Sequence, residues 1–328
     1  MGATGVIGQK TLEICREFPE KLKIVGISAH QNFEKLQNIA AEFAVENLFL
    51  TQKDFEKFCE FLKTADFDKI ILAGLGTKIS KCAEIAIARG KSVAIATKEI
   101  LVFAGEKLRE LSQKTGGEIL PIDSEISAIW QCLRGENPQN ISRIFLTASG
   151  GPFLDAKKFP KSFFPKITPK MAIAHPKWKM GAKISVDSAT LFNKSFEMME
   201  IAILFRVPPE KIEILIHPDA EIHSAVEFSD GSIKAQISAP EMKIPISRAL
   251  FFPEISPKNF APNFSFFSKK WDFFSVDENR FPSIKMARRA ISEKKMVEFL
   301  RENDAAVADF LRGKIRFDEI FSRVEKIF

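Results

Sequence analysis

The stretch GATGVIG at residues 2–8 decides the fold. Its glycines, Gly2, Gly5 and Gly8, are spaced G-x-x-G-x-x-G, and an amphipathic helical pattern follows through Leu12, Ile14 and Cys15. A glycine-rich turn feeding a helix aims backbone N–H groups and the positive end of the helix dipole at an anion such as a pyrophosphate. The spacing differs from the commoner G-x-G-x-x-G, and a plain tight turn uses the same residues. Residues 22–28 then read as a buried strand, followed by AHQN at 29–32. An NAD-binding unit usually places Asp or Glu at that strand end to hold the ribose 2′-hydroxyl. With His30, Gln31 and Asn32 there instead, no carboxylate repels a 2′-phosphate, and NADPH is expected over NADH.

Outward from this loop, strands and helices alternate as a parallel α/β sheet requires. Strands are expected at residues 47–51, 69–73, 92–96 and 118–122, with helices over 79–89 and 103–115. GLG at 74–76 follows a strand, on the side from which ligands approach an open α/β sheet. A strand should also precede the glycine loop, where only Met1 stands, so the unit is expected to lack its first, normally central strand.

The whole chain fits this frame. Its 328 residues suggest about two domains. With 45% hydrophobic and 27% charged residues it has the composition of a globular protein, not of a disordered tail or a rod. There are 32 Phe and no Tyr, which excludes any mechanism built on a phenol, including the Tyr-Lys proton relay of short-chain dehydrogenases. The net charge of +6 is spread without runs, so it suits a small anionic substrate as easily as nucleic acid. The Phe residues sit in apolar stretches and read as core, not as base-stacking platforms; no nucleic-acid partner is expected. Cys15, Cys59, Cys82 and Cys132 are too scattered for a zinc knuckle or disulfide framework, and a reduced, cytoplasmic protein is the expectation. No apolar run reaches the roughly 18 residues of a membrane span, so no membrane partner is expected. No signal peptide is visible. Val6 stands where a myristoylation signal wants Ser or Thr.

The middle of the chain carries the chemistry. Asp123 and Glu125 fall at a strand end, where residues two apart point the same way and suit a hard divalent cation. Residues 143–147 read as a strand leading into Ser149, Gly150 and Gly151, small residues whose N–H groups suit an oxyanion or phosphate. HPKWKMG at 175–181 fits no regular element and reads as a lid. Asp187 or Ser188 is expected to cap a helix running to about residue 205, with Asn193, Glu197 and Glu200 on one face and Lys194 beside it. His217 and His223 lack zinc spacing and read as structural.

Together these pieces resemble the 1-deoxy-D-xylulose 5-phosphate reductoisomerase family. The resemblance runs through GATGVIG (2–8), TKE (97–99), PIDSE (121–125), TASGGPF (147–153), HPKWKMG (175–181), KISVDSAT (183–190), NK (193–194), LIHP (215–218) and IHS (222–224). It implies rearrangement of 1-deoxy-D-xylulose 5-phosphate to a branched aldehyde and NADPH-dependent reduction to 2-C-methyl-D-erythritol 4-phosphate, in the non-mevalonate isoprenoid pathway. It implies a homodimer with Mg²⁺, Mn²⁺ or Co²⁺ held by Asp123, Glu125 and Glu197. Ser149, Ser188, Asn193 and Lys194 would hold the phosphate and polar end of the substrate, and Ser124 and Lys98 its sugar backbone. His175 would lie on the lid and Trp178 close over the substrate. Thr4, Gly5, Val6, Ile7, His30, Gln31, Asn32, Thr97, Glu99 and Gly181 would line the NADPH side.

The chain departs from the family pattern at Ile126, at Thr97 and at the pair His30 and Gln31, where a small residue and a base are usual. The segment between residues 33 and 68 is shorter than usual, and the C-terminal helical region is expected to be shortened too. The expected organisation is a Rossmann-like NADPH-binding domain at 1–122 and an α+β catalytic domain with its lid at 123–252. A Pro-rich linker would span 253–281, and a small helical region 282–328 with its clearest helix at 284–300. Two other readings remain at this stage. One is a semialdehyde-type dehydrogenase, which would need a cysteine nucleophile such as Cys132; the other is a non-catalytic homologue.

Overall fold

Residues 1–74, 76–174 and 181–328 are described by a computed structural model. The chain begins with α1 (Val6–Glu17), β1 (Ile27–Ala29), α2 (Phe33–Phe43), β2 (Leu48–Leu50), α3 (Phe55–Thr64) and β3 (Lys69–Leu72). Next come α4 (Ser80–Ala88), β4 (Ser92–Ile95), α5 (Lys98–Thr115), β5 (Ile119–Pro121), α6 (Ser124–Cys132) and β6 (Ile141–Ala148). The short α7 (Pro169–Ala172), α8 (Ala182–Ala189), α9 (Phe192–Phe205), β7 (Ile212–Ile216), β8 (Ile222–Phe228) and β9 (Ile233–Ile237) follow. The chain closes with α10 (Lys243–Phe251), β10 (Phe274–Ser275), α11 (Ser283–Ser292), α12 (Met296–Leu311) and α13 (Phe317–Glu325). No helix of the described residues is long and apolar enough to cross a membrane.

Two compact units share these elements. The first is Met1–Ser127 with Pro240–Asn263; the second is Ala128–Ala239 with Phe264–Phe328. The division falls inside α6, one continuous helix.

The first unit is Rossmann-like. Its strands are all parallel, in two groups: β1 with β2, and β3-β4-β5. Leu72, Val93, Ala94, Ile95 and Leu120 are buried, as strands covered on both faces must be. A second cluster, Leu12, Ile27, Ala29, Leu36 and Ile39, packs α1 and α2 over β1. Met1 sits beside both strand groups. Its amino group donates to Ile71 O (2.7 Å) and its carbonyl accepts from Ala73 N–H (3.2 Å), while the Gly2 and Ala3 N–H groups both donate to Ser28 O (2.9 Å). Residues 21–27 and 66–71 line one cavity of about 630 Å³ in this unit. The strand expected over 22–28 is accordingly short. Only Ile27–Ala29 finds a ladder partner, because β2 begins at Leu48 and residues 22–26 face the cavity.

The second unit is built on the five-stranded mixed sheet β10-β7-β6-β8-β9, in which only β6 and β7 are parallel. Beside it lies a phenylalanine-rich helical core. Phe317 meets Phe153, Phe164 and Phe310 edge-on, with ring centroids 5.4, 5.4 and 5.7 Å away. Buried Arg280 donates to the carbonyls of Phe153 (2.6 Å), Leu154 (2.9 Å) and Phe159 (2.6 Å), which fixes the loop after β6. The single helix expected over 284–300 is two helices, α11 and α12, parted at Lys294 with φ 57°.

Candidate active site and cofactor loop

The glycine loop is tightly packed against its neighbours. Gly2 takes φ +81°, and a Cβ there would stand 2.5 Å from Ala73 O. A Cβ on Gly8 would stand 2.2 Å from Gly2 O, so the first turn of α1 lies directly on the loop. Gly5 is the N-cap of α1, makes no side-chain cap, and no acid occupies the first turn. Val6 is 60% exposed. A helix start without a side-chain cap fits a bound pyrophosphate, and the close packing leaves no room for a larger residue at Gly2 or Gly8.

The surrounding residues are placed as follows. Thr4 and Ile7 are half-buried in the loop; His30, Gln31 and Asn32 are exposed beyond β1. The Asn32 side chain accepts from Lys35 N–H (3.0 Å) and so caps α2. Lys35, which the sequence reading passed over, donates through Nζ to Thr4 O (3.1 Å). Buried Thr97 donates through its hydroxyl to Gly74 O (2.7 Å) and opens α5, which begins five residues earlier than its apolar pattern suggested, so that Lys98 and Glu99 fall in its first turn.

The acidic residues converge, by a different route from the one expected. Asp123 and Glu125 are not on a strand. β5 ends at Pro121, Asp123 precedes α6 and its carbonyl accepts from Ser127 N–H (2.7 Å), and Glu125 lies in the first helical turn. One carboxylate oxygen each from Asp123, Glu125 and Glu197 lies within 4.8 Å of the other two. Three hard oxygen donors at that separation fit a divalent cation. Each acid also has a partner from the chain. Lys98 Nζ meets Asp123 Oδ2, with both side chains 12% exposed, and Ser124 Oγ donates to Glu125 Oε2 (2.9 Å). On α9, Asn193 Nδ2 donates to Glu197 Oε1 (2.5 Å) and Lys194 Nζ to Glu197 Oε2 (2.6 Å), the Glu197 side chain being fully buried.

The remaining polar residues sit at element ends in the second unit. Half-buried Ser149 follows β6, and Gly150 and Gly151 take φ +91° and +68°. A Cβ on Gly151 would lie 2.8 Å from Ser188 O, so this loop runs against α8 at half-buried Ser188. Asp187 and Ser188 do not cap the long helix. They lie inside α8, and the chain breaks at Leu191 (φ 59°) before α9 starts. Asp187 instead takes the ammonium of Lys183 (2.5 Å), which also reaches Asn303 (2.8 Å) on α12. Exposed Gly181 is the N-cap of α8. His175 and Trp178 lie outside the described residues.

His217 is held by Asp272 O (3.1 Å) and Glu221 N–H (3.2 Å) and stacks on Phe273, a structural role, and His223 is buried on β8. Cys132, the nucleophile a semialdehyde dehydrogenase would need, is buried, and burial pushes its thiol up to about 11. A thiol so disfavoured as thiolate is no nucleophile at neutral pH, and that reading falls.

Three family models match: 1-deoxy-D-xylulose 5-phosphate reductoisomerase at residues 1–74, its C-terminal domain at 119–205, and DXP reductoisomerase C-terminal domain at 237–328. The 1-deoxy-D-xylulose 5-phosphate reductoisomerase of Thermodesulfovibrio yellowstonii is 38% identical over 100% of this chain and 90% of its own. The solved Zymomonas mobilis enzyme in complex with NADPH is 34% identical with a TM-score of 0.89, over 99% of this chain and 89% of its own. A DOX-P reductoisomerase with NADPH, fosmidomycin and magnesium gives 33% identity and a TM-score of 0.90, over 99% and 86%.

Proposed function

The chain belongs to the 1-deoxy-D-xylulose 5-phosphate reductoisomerase family, and from that premise we propose how its own residues carry out the family's reaction. It is an NADPH-dependent oxidoreductase that rearranges and reduces 1-deoxy-D-xylulose 5-phosphate to 2-C-methyl-D-erythritol 4-phosphate in isoprenoid precursor synthesis. The observation that carries the assignment is the convergence of Asp123, Glu125 and Glu197. These three would hold a divalent cation, Mg²⁺, Mn²⁺ or Co²⁺, which would supply Lewis acidity to the substrate's neighbouring oxygens. Asn193 and Lys194 orient the Glu197 carboxylate through its two oxygens, and Lys98 orients Asp123.

The same side chains have a second task when substrate binds. Lys194 and Asn193, with Ser149 and Ser188, offer an ammonium, an amide and two hydroxyls to the phosphate end. Lys98 and Ser124 stand ready for the sugar hydroxyls. The open start of α1 at Gly5, Val6 and Ile7 takes the NADPH pyrophosphate, with Thr97, Glu99 and Gly181 on the nicotinamide side. The cover that keeps water from the aldehyde is the role expected of His175 and Trp178, which lie outside the described residues. A homodimer in the cytoplasm completes the reading.

The test is direct. Purified protein given 1-deoxy-D-xylulose 5-phosphate, NADPH and Mn²⁺ or Mg²⁺ should consume reduced nicotinamide and release the branched polyol phosphate, and a chelator should stop it. Absence of NADPH consumption with every one of the three metals would overturn the assignment.

A further inference from the structure

The strand end expected to meet the cofactor's 2′-phosphate lacks a committed cation. His30, Gln31 and Asn32 are all exposed, and Asn32 is occupied as the cap of α2. A phosphate monoester carries about −1.5 to −2 charges at neutral pH and binds best where ammonium or guanidinium groups meet it. The neighbouring strand supplies them. The β1–β2 pairing continues past both strand ends: Thr51 N–H donates to Ala29 O (2.8 Å) and Gln52 N–H to His30 O (3.2 Å). Lys53 therefore stands one residue beyond the bond that fixes His30.

A cavity of about 720 Å³ opens at this point, and its lining includes Thr51, Lys53, Lys57, Thr77, Lys78 and Lys81. The four lysines are not equivalent. Lys57 faces Asp54 at 3.4 Å, and Lys81 is tied to Glu56 at 2.7 Å, which also neutralises the acid of the lining. Among the described residues, no ion pair engages Lys53 or Lys78, and both are exposed. Two uncommitted ammonium groups and two threonine hydroxyls, beside a strand end free of carboxylates, make an acceptor for a compact dianion.

Resting on the NADPH reading above, we propose that this cavity seats the cofactor's 2′-phosphate and that Lys53 and Lys78 are the residues that select NADPH over NADH. Lys35 is the competing cation. Its bond to Thr4 O ties it to the glycine loop, on the pyrophosphate side.

Binding of NADPH, NADH and 2′,5′-ADP to the full chain, measured by calorimetry without substrate or metal, tests this. The Lys53→Ala/Lys78→Ala double variant should lose about tenfold in affinity for NADPH and for 2′,5′-ADP. Its NADH affinity and melting temperature should be unchanged. NADPH affinity that survives both substitutions, or a discrimination lost only in Lys35→Ala, overturns the proposal while leaving the cofactor reading intact. A wild-type chain that binds neither dinucleotide overturns both.

Discussion

At the scale of single residues the active site is an arrangement of compensated charge. Lys98 faces Asp123 and Lys194 faces Glu197, so ammonium groups offset the charge of the gathered carboxylates. A buried acid without such partners would be held in place only at a large desolvation cost. Glu197→Gln keeps the shape and an acceptor for Asn193 but removes a donor for the cation. Turnover should fall about a hundredfold or more in steady-state assays, while NADPH affinity measured without metal stays at the wild-type value. Near-normal kcat would reject Glu197 as a ligand. The spacing of Asn193, Lys194 and Glu197 made this half of the site legible in the sequence, because three- and four-residue steps share a helix face. Asp123 and Glu125 were paired for the wrong reason, since they belong to a helix start. The partnership of Lys98 with Asp123 was not legible, because 25 positions separate them and only the tertiary fold joins them.

Among the elements, the glycine loop and α1 form the tightest fit. A methyl group on Gly8 would press on the carbonyl of Gly2 and on Ala3, backbone that cannot rotate away. Gly8→Ala should cost about 1–3 kcal/mol of stability, read from chemical denaturation, and should weaken NADPH binding by shifting the N–H groups of the loop. A variant with wild-type stability and affinity would mean that the loop has room to give. Element boundaries explain much of what the sequence concealed. The breaks before α9 and α12 fall on Leu191 and Lys294, both left-handed, where glycine or asparagine would have signalled a stop. Apolar periodicity runs straight through them. The strands β3, β4 and β5 were readable from their apolar runs at residues 70–72, 93–95 and 119–120; β1 was overestimated, since a strand needs a paired neighbour as well as an apolar sequence.

On the scale of the whole molecule, the absence of tyrosine acquires a structural meaning. The helical core of the second unit is a mesh of phenylalanine rings with Phe317 at its centre, touching rings from the loop after β6, from α12 and from its own helix α13. A phenol there would need a hydrogen-bond partner that the mesh does not offer. Phe317→Ala should destabilise the protein by about 3–5 kcal/mol, visible as a lower urea midpoint. A loss below about 1 kcal/mol would show that the mesh collapses around the gap. The composition pointed to a phenylalanine core, but not to which rings meet, because Phe153 and Phe164 stand more than a hundred residues before the Phe317 they touch. The first unit has long-range closure of another kind. Residues 240–263 return to it: Glu241 pairs with Lys10 (2.6 Å), Lys243 with Glu13 (2.6 Å), Phe251 meets Phe18 at 5.0 Å, and Lys69 Nζ donates to Leu250 O (2.7 Å). During synthesis, then, α1 waits for α10 while the ribosome delivers more than two hundred residues, including strands β6 to β9 of the other unit. The second unit waits in turn for α11 to α13, made last. Neither core can close early: the first unit is complete in sequence only at Asn263, and the second only with the residues from Phe264 onward, so most of the chain must exist before either half has all of its packing partners.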